Sequence, residues 1–412
     1  MAHLLLMELP GGDDTDIIDA ILDQGHSFTF LTADLAYYRA RPAVIPSLER
    51  ARNILEVSGF DYAAVETAVL AAHARHPIAG VLCLVDIRMI EASRLAHRLS
   101  LPFLNPDSAR LLRDKYAVRQ CLSEQGLAQP LYRLATDNRE LRTATEALGL
   151  PVIIKPTDGY GSQNVVLLRD AEDLNPLLGP VDDFLPQHLD YGFGVWANDR
   201  LLVERFIPGP MIGCDTLSIN GRHRFLGINE KLYFPPPSFA IRGSCFPSDR
   251  FDSETIQDYV TQVLDAVGFD WGMAHLEIVV SAQGPMLVEI NPRLVGARIP
   301  RLLNLAFQRS IHADLVALHL GQQPELPQQA SRHAVSRWFA ADRSGTLSAL
   351  NLPTNIDPLV ACHDVVHRAG SRVQPPRNNG DRIGFVMTAA PSREAAEDAA
   401  EAFIRGIGLS VT

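Results

Sequence analysis

A chain of 412 residues exceeds one hydrophobic core, and at roughly 100 to 200 residues per domain it predicts two to four units. Its 47% hydrophobic and 21% charged residues describe a folded globular protein, and a net charge of -11 argues against nucleic acid or an anionic membrane as a broad partner. No run approaches roughly 18 uninterrupted apolar residues, the N-terminus lacks the marks of a secretory leader, and five cysteines without metal or redox spacing (Cys83, Cys121, Cys214, Cys245, Cys362) predict a reduced, cytoplasmic setting.

Residues 3 to 105 alternate strand and helix, which predicts a parallel sheet covered by helices. The strands expected are His3 to Leu9, Ser27 to Leu31, Gly80 to Asp86 and a short one at Phe103; the helices are Asp14 to Asp23, Tyr62 to Arg75 and Arg88 to Leu99. Gly11-Gly12 lacks the spaced glycines of a dinucleotide site and reads as a tight turn. Asn105-Pro-Asp-Ser108 starts a helix expected to run to Gly126 with Lys115 inside it. Strands at Leu131 to Leu134 and Pro151 to Pro156 flank a helix from Arg139 to Leu148, and Lys155 is the last side chain before a glycine-rich loop, Thr157 to Asn164. Such a loop can wrap backbone N–H groups round a polyphosphate, because glycine lets the chain approach closely. It is not a Walker A sequence.

Strands follow at Leu201 to Ile207, Cys214 to Ile219 and Arg224 to Ile228, the last two joined by an Asn220-Gly221 hairpin turn. Lys231 to Pro247, with Pro235-Pro-Pro237, is expected to be an irregular loop, the kind of segment that often carries function. A helix over 254 to 267 leads to two strands, His275 to Val280 and Met286 to Asn291. Pro300 to His319 reads as one helix and Gly321 to Ser331 as a linker. The last unit carries strands near Ala334 to Ala340 and Arg382 to Ala389 and a helix from Ser392 to Ile404.

Two features point to chemistry. Lys115, Lys155 and Lys231 are the only lysines, the other 34 of 37 basic residues being arginine. In a chain that uses Arg for solubility, each Lys is expected where a compact ammonium on a flexible stem suits phosphate. The second feature is Met286 to Arg293, where Glu289 and Asn291, two apart, share one strand face, as do His275 and Glu277 on the strand before. A three-residue turn, Ala282 to Gly284, would pair Ser281 with Pro285 and set Glu277 opposite Glu289. Facing carboxylates destabilise a sheet unless compensated, and two carboxylates with an amide oxygen suit a hard divalent cation, Mg²⁺ above all. The bland alternative is a solvated sheet face.

From Asn105 to about Gly321 the motifs together resemble the ATP-grasp superfamily, in particular its carboxylate–amine ligases. They are Lys115, Val-Ile-Ile-Lys-Pro at 152 to 156, the loop from Asp158 to Asn164, Val-Glu-Arg-Phe-Ile at 203 to 207, His-Leu-Glu at 275 to 277 and Glu-Ile-Asn-Pro-Arg at 289 to 293. The whole arrangement and the Pro-rich loop are most like the L-amino-acid ligases that make dipeptides. The resemblance implies an ATP-grasp fold of mixed α/β class. Its parts are a Rossmann-like parallel α/β domain (1 to 106), a helix linker and ATP lid (107 to 208), an antiparallel core with the metal and substrate site (209 to 325) and a small C-terminal α/β unit (326 to 412).

It also implies ATP and one or two Mg²⁺ ions, with Mn²⁺ as substitute, and small amino-acid substrates, leaving a homodimer open. Lys115 and Lys155 would contact the phosphates under the loop Asp158, Gly159, Tyr160, Gly161, Ser162 and Gln163. Glu204 and the backbone of Arg205, Phe206 and Ile207 would meet the adenine edge, with Leu287 and Lys231 in the nucleotide set. Glu277, Glu289 and Asn291 would hold metal, and Arg293 and Arg298 would sit by the transferred phosphoryl group. The family commonly follows the hinge with Gly-x-Glu for the ribose; Met211 stands there instead, which passes the ribose to Asp215 as the nearest acid. His275 is open between orienting a ligand, accepting the amine's proton and a structural role. Tyr233, Phe234, Phe239 and Arg242 are candidates for substrate selection, an aromatic loop with one guanidinium suiting a side chain plus a carboxylate, and Gly296 joins them. The alternatives are another ATP-grasp carboxylate–amine or carboxylate–thiol ligase, and a nucleotide-binding regulator without turnover.

Overall fold

The computed structural model describes residues 1–12, 14–160, 164–170, 186–189, 193–197, 199–235, 238 and 240–412. Among these, no helix is long and apolar enough to cross a membrane, and the five cysteines are free.

Near-continuous apolar runs build the first unit. His3–Met7 is buried throughout and lies between Ser27–Thr32 and Gly80–Cys83, with Asn53–Glu56 outside Ser27–Thr32, all parallel. Helices Asp16–Asp23, Tyr62–Arg75 and Met89–Arg98 cover its faces, as two-sided burial of a parallel sheet requires. Phe103 is not a strand. The expected helix from Asn105 divides into Pro106–Leu112 and Lys115–Glu124, because the Asp114 carboxylate caps a new start by accepting from the N–H groups of Tyr116 and Ala117. Lys115 is thus the first residue of a helix rather than a residue within one.

The segment expected to form the lid carries a four-stranded antiparallel sheet in the order Tyr132–Ala135, Leu201–Arg205, Val152–Pro156, Val166–Leu168, backed by Asn138–Leu148. Beyond it runs one antiparallel sheet of eight strands: Gly284–Asn291, Trp271–Ser281, Met211–Ile219, Arg222–Tyr233, Ile241–Phe246, His333–Ala340, Arg382–Ala390 and Val360–Val365. It carries straight across the boundary expected near residue 326, since Gly243 to Phe246 pair with Ala334 to Arg337. The segment from Lys231 to Pro247 is therefore mostly strand. Between its two strands the Phe234 N–H donates to the Ala240 carbonyl at 3.0 Å.

One face of this sheet is dry. Ile212, Cys214, Ile228, Leu276, Ile278, Leu287 and Ile290 pack under helices Pro106–Leu112, Lys115–Glu124 and Ser253–Ala266. The other carries the polar residues considered next. Further on, the helix expected from Pro300 to His319 breaks into Ile299–Phe307 and Ile311–His319 at Gln308, whose φ of 54° is left-handed. The C-terminal unit adds Gly345–Asn351 and Gly408–Val411, both unforeseen, with Arg393–Arg405 across the sheet.

Candidate functional site

Glu277 lies directly opposite Glu289 and His275 opposite Asn291, as the sequence predicts, although the route differs. The turn has two residues, Ala282 and Gln283, with Ser281 paired to Gly284; the register is recovered because Ile278 pairs with Leu287 while Glu277 pairs with Glu289, leaving Val288 as a one-residue bulge. The bulge reverses the alternation of faces, so Leu287 points into the dry layer and is fully buried, away from the polar face where the nucleotide set places it. Its extra carbonyl is not wasted. Val288 O accepts from Lys155 Nζ and from Arg119 Nη2, each at 3.1 Å, which ties the lid strand and the helix behind it to the floor.

All three lysines converge here, each against a different glutamate. Lys115 Nζ lies 3.0 Å from Glu289, Lys155 Nζ lies 2.8 Å from Glu204, and Lys231 pairs with Glu277. Burial works against ionised Glu277, but the Lys231 ammonium outweighs it and holds the carboxyl below the usual glutamate range. Lys231 answers in kind: burial opposes its charge, and Glu277 still raises its pKa. Glu204 is shared by two cations, since Arg119 Nε also lies 2.5 Å from it, and all three residues are buried. Burial with too little counter-charge lowers the Lys155 pKa, whereas Glu204, between two cations, is lowered against its own burial. The triad thus keeps one positive charge in excess, in a place with low screening, and suits an anion such as phosphate.

The near half of the glycine-rich loop rests on the same residues. Lys115 donates to Gly159 O at 2.6 Å and Arg113 to Asp158 O at 2.7 Å; Tyr160 packs at the edge of the main core. Gly161, Ser162, Gln163 and Phe239 lie outside the described residues. In the hinge, the N–H groups of Arg205 and Phe206 already donate to Leu131 O and Pro151 O, and Ile207 is half-buried. Arg293 joins the site by way of the first unit, donating from Nε to Asp86 at 2.9 Å and from Nη2 to the same oxygen. Burial disfavours the Asp86 carboxylate, yet Arg293 keeps its pKa low. A β-carbon on Gly296 would stand 3.7 Å from Arg293 Nη1, so the two are neighbours.

Several expected residues go elsewhere. Asp215 is 2% exposed and binds His275 Nδ1 at 2.9 Å, which commits it to the sheet floor rather than to a ribose at the hinge. Gly213 is bare for the same reason: a β-carbon there would meet His275 Cε1 at 2.6 Å. Arg242 is skipped by the pairing between Leu232–Gly243 and Tyr233–Ile241, and its guanidinium turns to Glu401 on the C-terminal helix, 2.7 Å away. Arg298 lies beside Asp364 and Phe385 of the C-terminal unit. Tyr233 stays with the site: its hydroxyl is buried beside Lys231 and Glu277, and burial raises its pKa. Phe234 is half-buried at the mouth of the loop. Sequence reading missed Arg119, Arg113 and Asp86. Arg119 had a usable signal, one helical turn after Lys115 on the same face.

Among the described residues no group of three or more His, Cys, Asp or Glu side chains is arranged to hold a metal. The donor set of Glu277, Glu289 and the Asn291 amide is of the type a hard cation takes, oxygens on one strand face, and in this structure Lys231 and Lys115 supply the counter-charge of the two carboxylates.

Residues 112–297 match the ATP-grasp domain, and residues 337–412 match L-amino acid ligase C-terminal domain 2. An uncharacterized protein of Sinorhizobium fredii is 32% identical over 346 residues, 81% of this chain and 69% of that one. The L-arginine-specific L-amino acid ligase of Bacillus subtilis is 25% identical over 248 residues, 58% of this chain but only 57% of its own length. The L-amino acid ligase of Bacillus licheniformis superposes with a TM-score of 0.77 at 20% identity, covering 100% of this chain and 99% of that one. The biotin carboxylase domain of 2-oxoglutarate carboxylase from Hydrogenobacter thermophilus, solved with MgADP, gives 0.70 at 14% identity over 99% and 90%. With its lysine-lined acidic floor, its lid and its ligase-type C-terminal domain, the chain belongs to the ATP-grasp family of carboxylate–amine ligases.

Proposed function

We propose that this protein uses ATP to activate an amino-acid carboxylate as an acyl phosphate and joins it to the amine of a second amino acid, releasing ADP and phosphate. The observation that carries the reading is the meeting of all three lysines with three glutamates around facing Glu277 and Glu289, on a chain whose end matches the C-terminal domain of L-amino acid ligases.

A carboxylate oxygen of the first substrate attacks the γ-phosphorus of ATP, and the bond to ADP breaks. This step needs positioning and charge neutralisation more than covalent help. Lys155, in charge excess, and Lys115, bridging Glu289 and the loop, are assigned to the phosphates. Mg²⁺ held by Glu277, Glu289 and Asn291 would supply further neutralisation of the β- and γ-phosphate oxygens. The amine of the second substrate then attacks the acyl carbon, loses a proton, and phosphate leaves with the former carboxylate oxygen. Arg293 is assigned to the oxyanion of that step, with Asp86 fixing its orientation; such a donor contributes on the order of 3 to 4 kcal/mol. His275, held by Asp215, and Tyr233, beside Lys231, line the floor on the substrate side.

Purified protein with ATP, saturating Mg²⁺ and mixed amino acids should release ADP in an amino-acid-dependent way and yield a dipeptide by mass spectrometry. Absence of amino-acid-stimulated ADP sinks the reading. A different carboxylate ligase of the same fold, for which the biotin carboxylase likeness speaks, would release ADP only with another acid or with bicarbonate.

A further inference from the structure

The C-terminal half of the eight-stranded sheet carries a second cluster that the chemistry above leaves without a task. Trp338 and Phe385 face each other across His333–Ala340 and Arg382–Ala390, with ring centroids 4.9 Å apart. Each ring carries a guanidinium: Arg382 Cζ lies 3.8 Å from the Trp338 centroid, and Arg298 Cζ lies 4.5 Å from that of Phe385. Two cations therefore stand on adjoining rings.

Their counter-charge is thin. Arg382 donates from Nε to Asn379 O at 2.7 Å and from Nη1 to Ile241 O at 3.4 Å, and among the described residues it has no ion pair. Arg298 has Asp364 at 3.7 Å, a carboxylate that is 59% exposed, and also feels Asp16, which Arg301 already pairs. Burial together with the nearby Arg298 lowers the Arg382 pKa to about 10. Arg298 also stands at the N-cap of Ile299–Phe307 without a side-chain cap bond, so the first N–H groups of that helix add positive potential. Guanidiniums gathered with too few carboxylates, on an apolar wall, suit a bidentate anion attached to an organic side chain.

The cluster adjoins the lysine–glutamate floor on two sides. Arg298 is carried by the loop that leaves Arg293 and Gly296, and Ile241, which Arg382 touches, pairs with Tyr233. We propose that Arg298 and Arg382 together bind the α-carboxylate of the second amino acid, with Trp338 as the wall beside its side chain. The assignment rests on the ligase reading for the identity of that amino acid. It also gives Arg298 a binding role at the C-terminal side instead of a place at the transferred phosphoryl group.

The test compares the second amino acid with its α-carboxamide in the unchanged protein and in Arg382→Gln, Arg298→Gln and Arg382→Lys. Losing one charge-assisted fork should raise KM for the acid about 10- to 100-fold and leave KM for ATP and for the amide unchanged. Arg382→Lys, which keeps the charge without the fork, should fall between. Thermal unfolding of each variant separates this from loss of fold. Tryptophan fluorescence titrated with L-phenylalanine and L-phenylalaninamide gives a readout free of turnover: the acid should bind more tightly, and Arg382→Gln should abolish the difference. Equal binding, or none, of acid and amide overturns the carboxylate site while ADP release keeps the ligase reading. Selective acid binding without amino-acid-dependent ADP release would overturn the ligase reading and keep the site.

Discussion

Changing Glu289 to Gln separates a chemical role from a structural one. Its side chain is 26% exposed, its ion pair is with Lys115 at 3.0 Å, and it faces a second carboxylate across the ladder. A partly screened pair of this kind contributes about 0 to 1 kcal/mol, and relief of the repulsion from Glu277 offsets a similar amount. Stability should therefore change by no more than about 1 kcal/mol. Turnover should fall on the order of 100- to 1,000-fold, because a missing charged group at the phosphoryl site costs on the order of 3 to 4 kcal/mol. The assay is a coupled measurement of ADP release across a Mg²⁺ titration, beside urea unfolding of the same preparation. Turnover within a few-fold of the parent refutes the role assigned to the floor. Loss of folded protein refutes the physical argument differently, by showing that the facing glutamates hold the sheet together.

Two further outcomes follow from burial. Glu204→Ala leaves Arg119 and Lys155 buried without their carboxylate, and urea unfolding should show a loss of about 3 to 5 kcal/mol, far above that of Glu289→Gln; equal losses would mean that water reaches the triad. His319 is buried and its pKa is lowered from 6.5 to about 4, and His312 behaves alike. A histidine whose folded pKa is depressed contributes stability that is full above pH 6.5 and is lost as the pH falls from there toward 4. His319→Gln should flatten the fall in urea midpoint over that window, and an unchanged slope would refute the assignment.

How far the sequence carries can be read from particular residues. Glu277 opposite Glu289 was read correctly because a three-residue turn and a two-residue turn with one bulge give the same offset between the strands. The bulge at Val288 was not, since it is stabilised by Lys155 and Arg119, which lie far away in the chain. The same bulge turns Leu287 into the dry layer. The lysines announced themselves through scarcity, but which glutamate each would meet depends on the closure of one sheet over another. Arg242 shows a subtler failure: a side chain suited to a substrate carboxylate is turned away by a bulge in its own strand pairing. The C-terminal strands Gly345–Asn351 and Val360–Val365 are half-exposed and mix polar with apolar residues, so their pattern carried little signal.

The scarcity of lysine has a consequence in chemical self-protection. The acyl phosphate of the proposed reaction is an acylating agent, and a side-chain amine on the protein's own surface would compete with the second substrate for it. This chain offers three such amines in all; each is mostly buried and ion-paired with a glutamate, which shields it from an electrophile. The remaining basic residues are arginines, whose guanidinium stays charged at any working pH and is inert to acylation. On the proposed reaction, an electrophile that escapes the floor therefore meets water or a substrate amine before it meets a lysine of this chain.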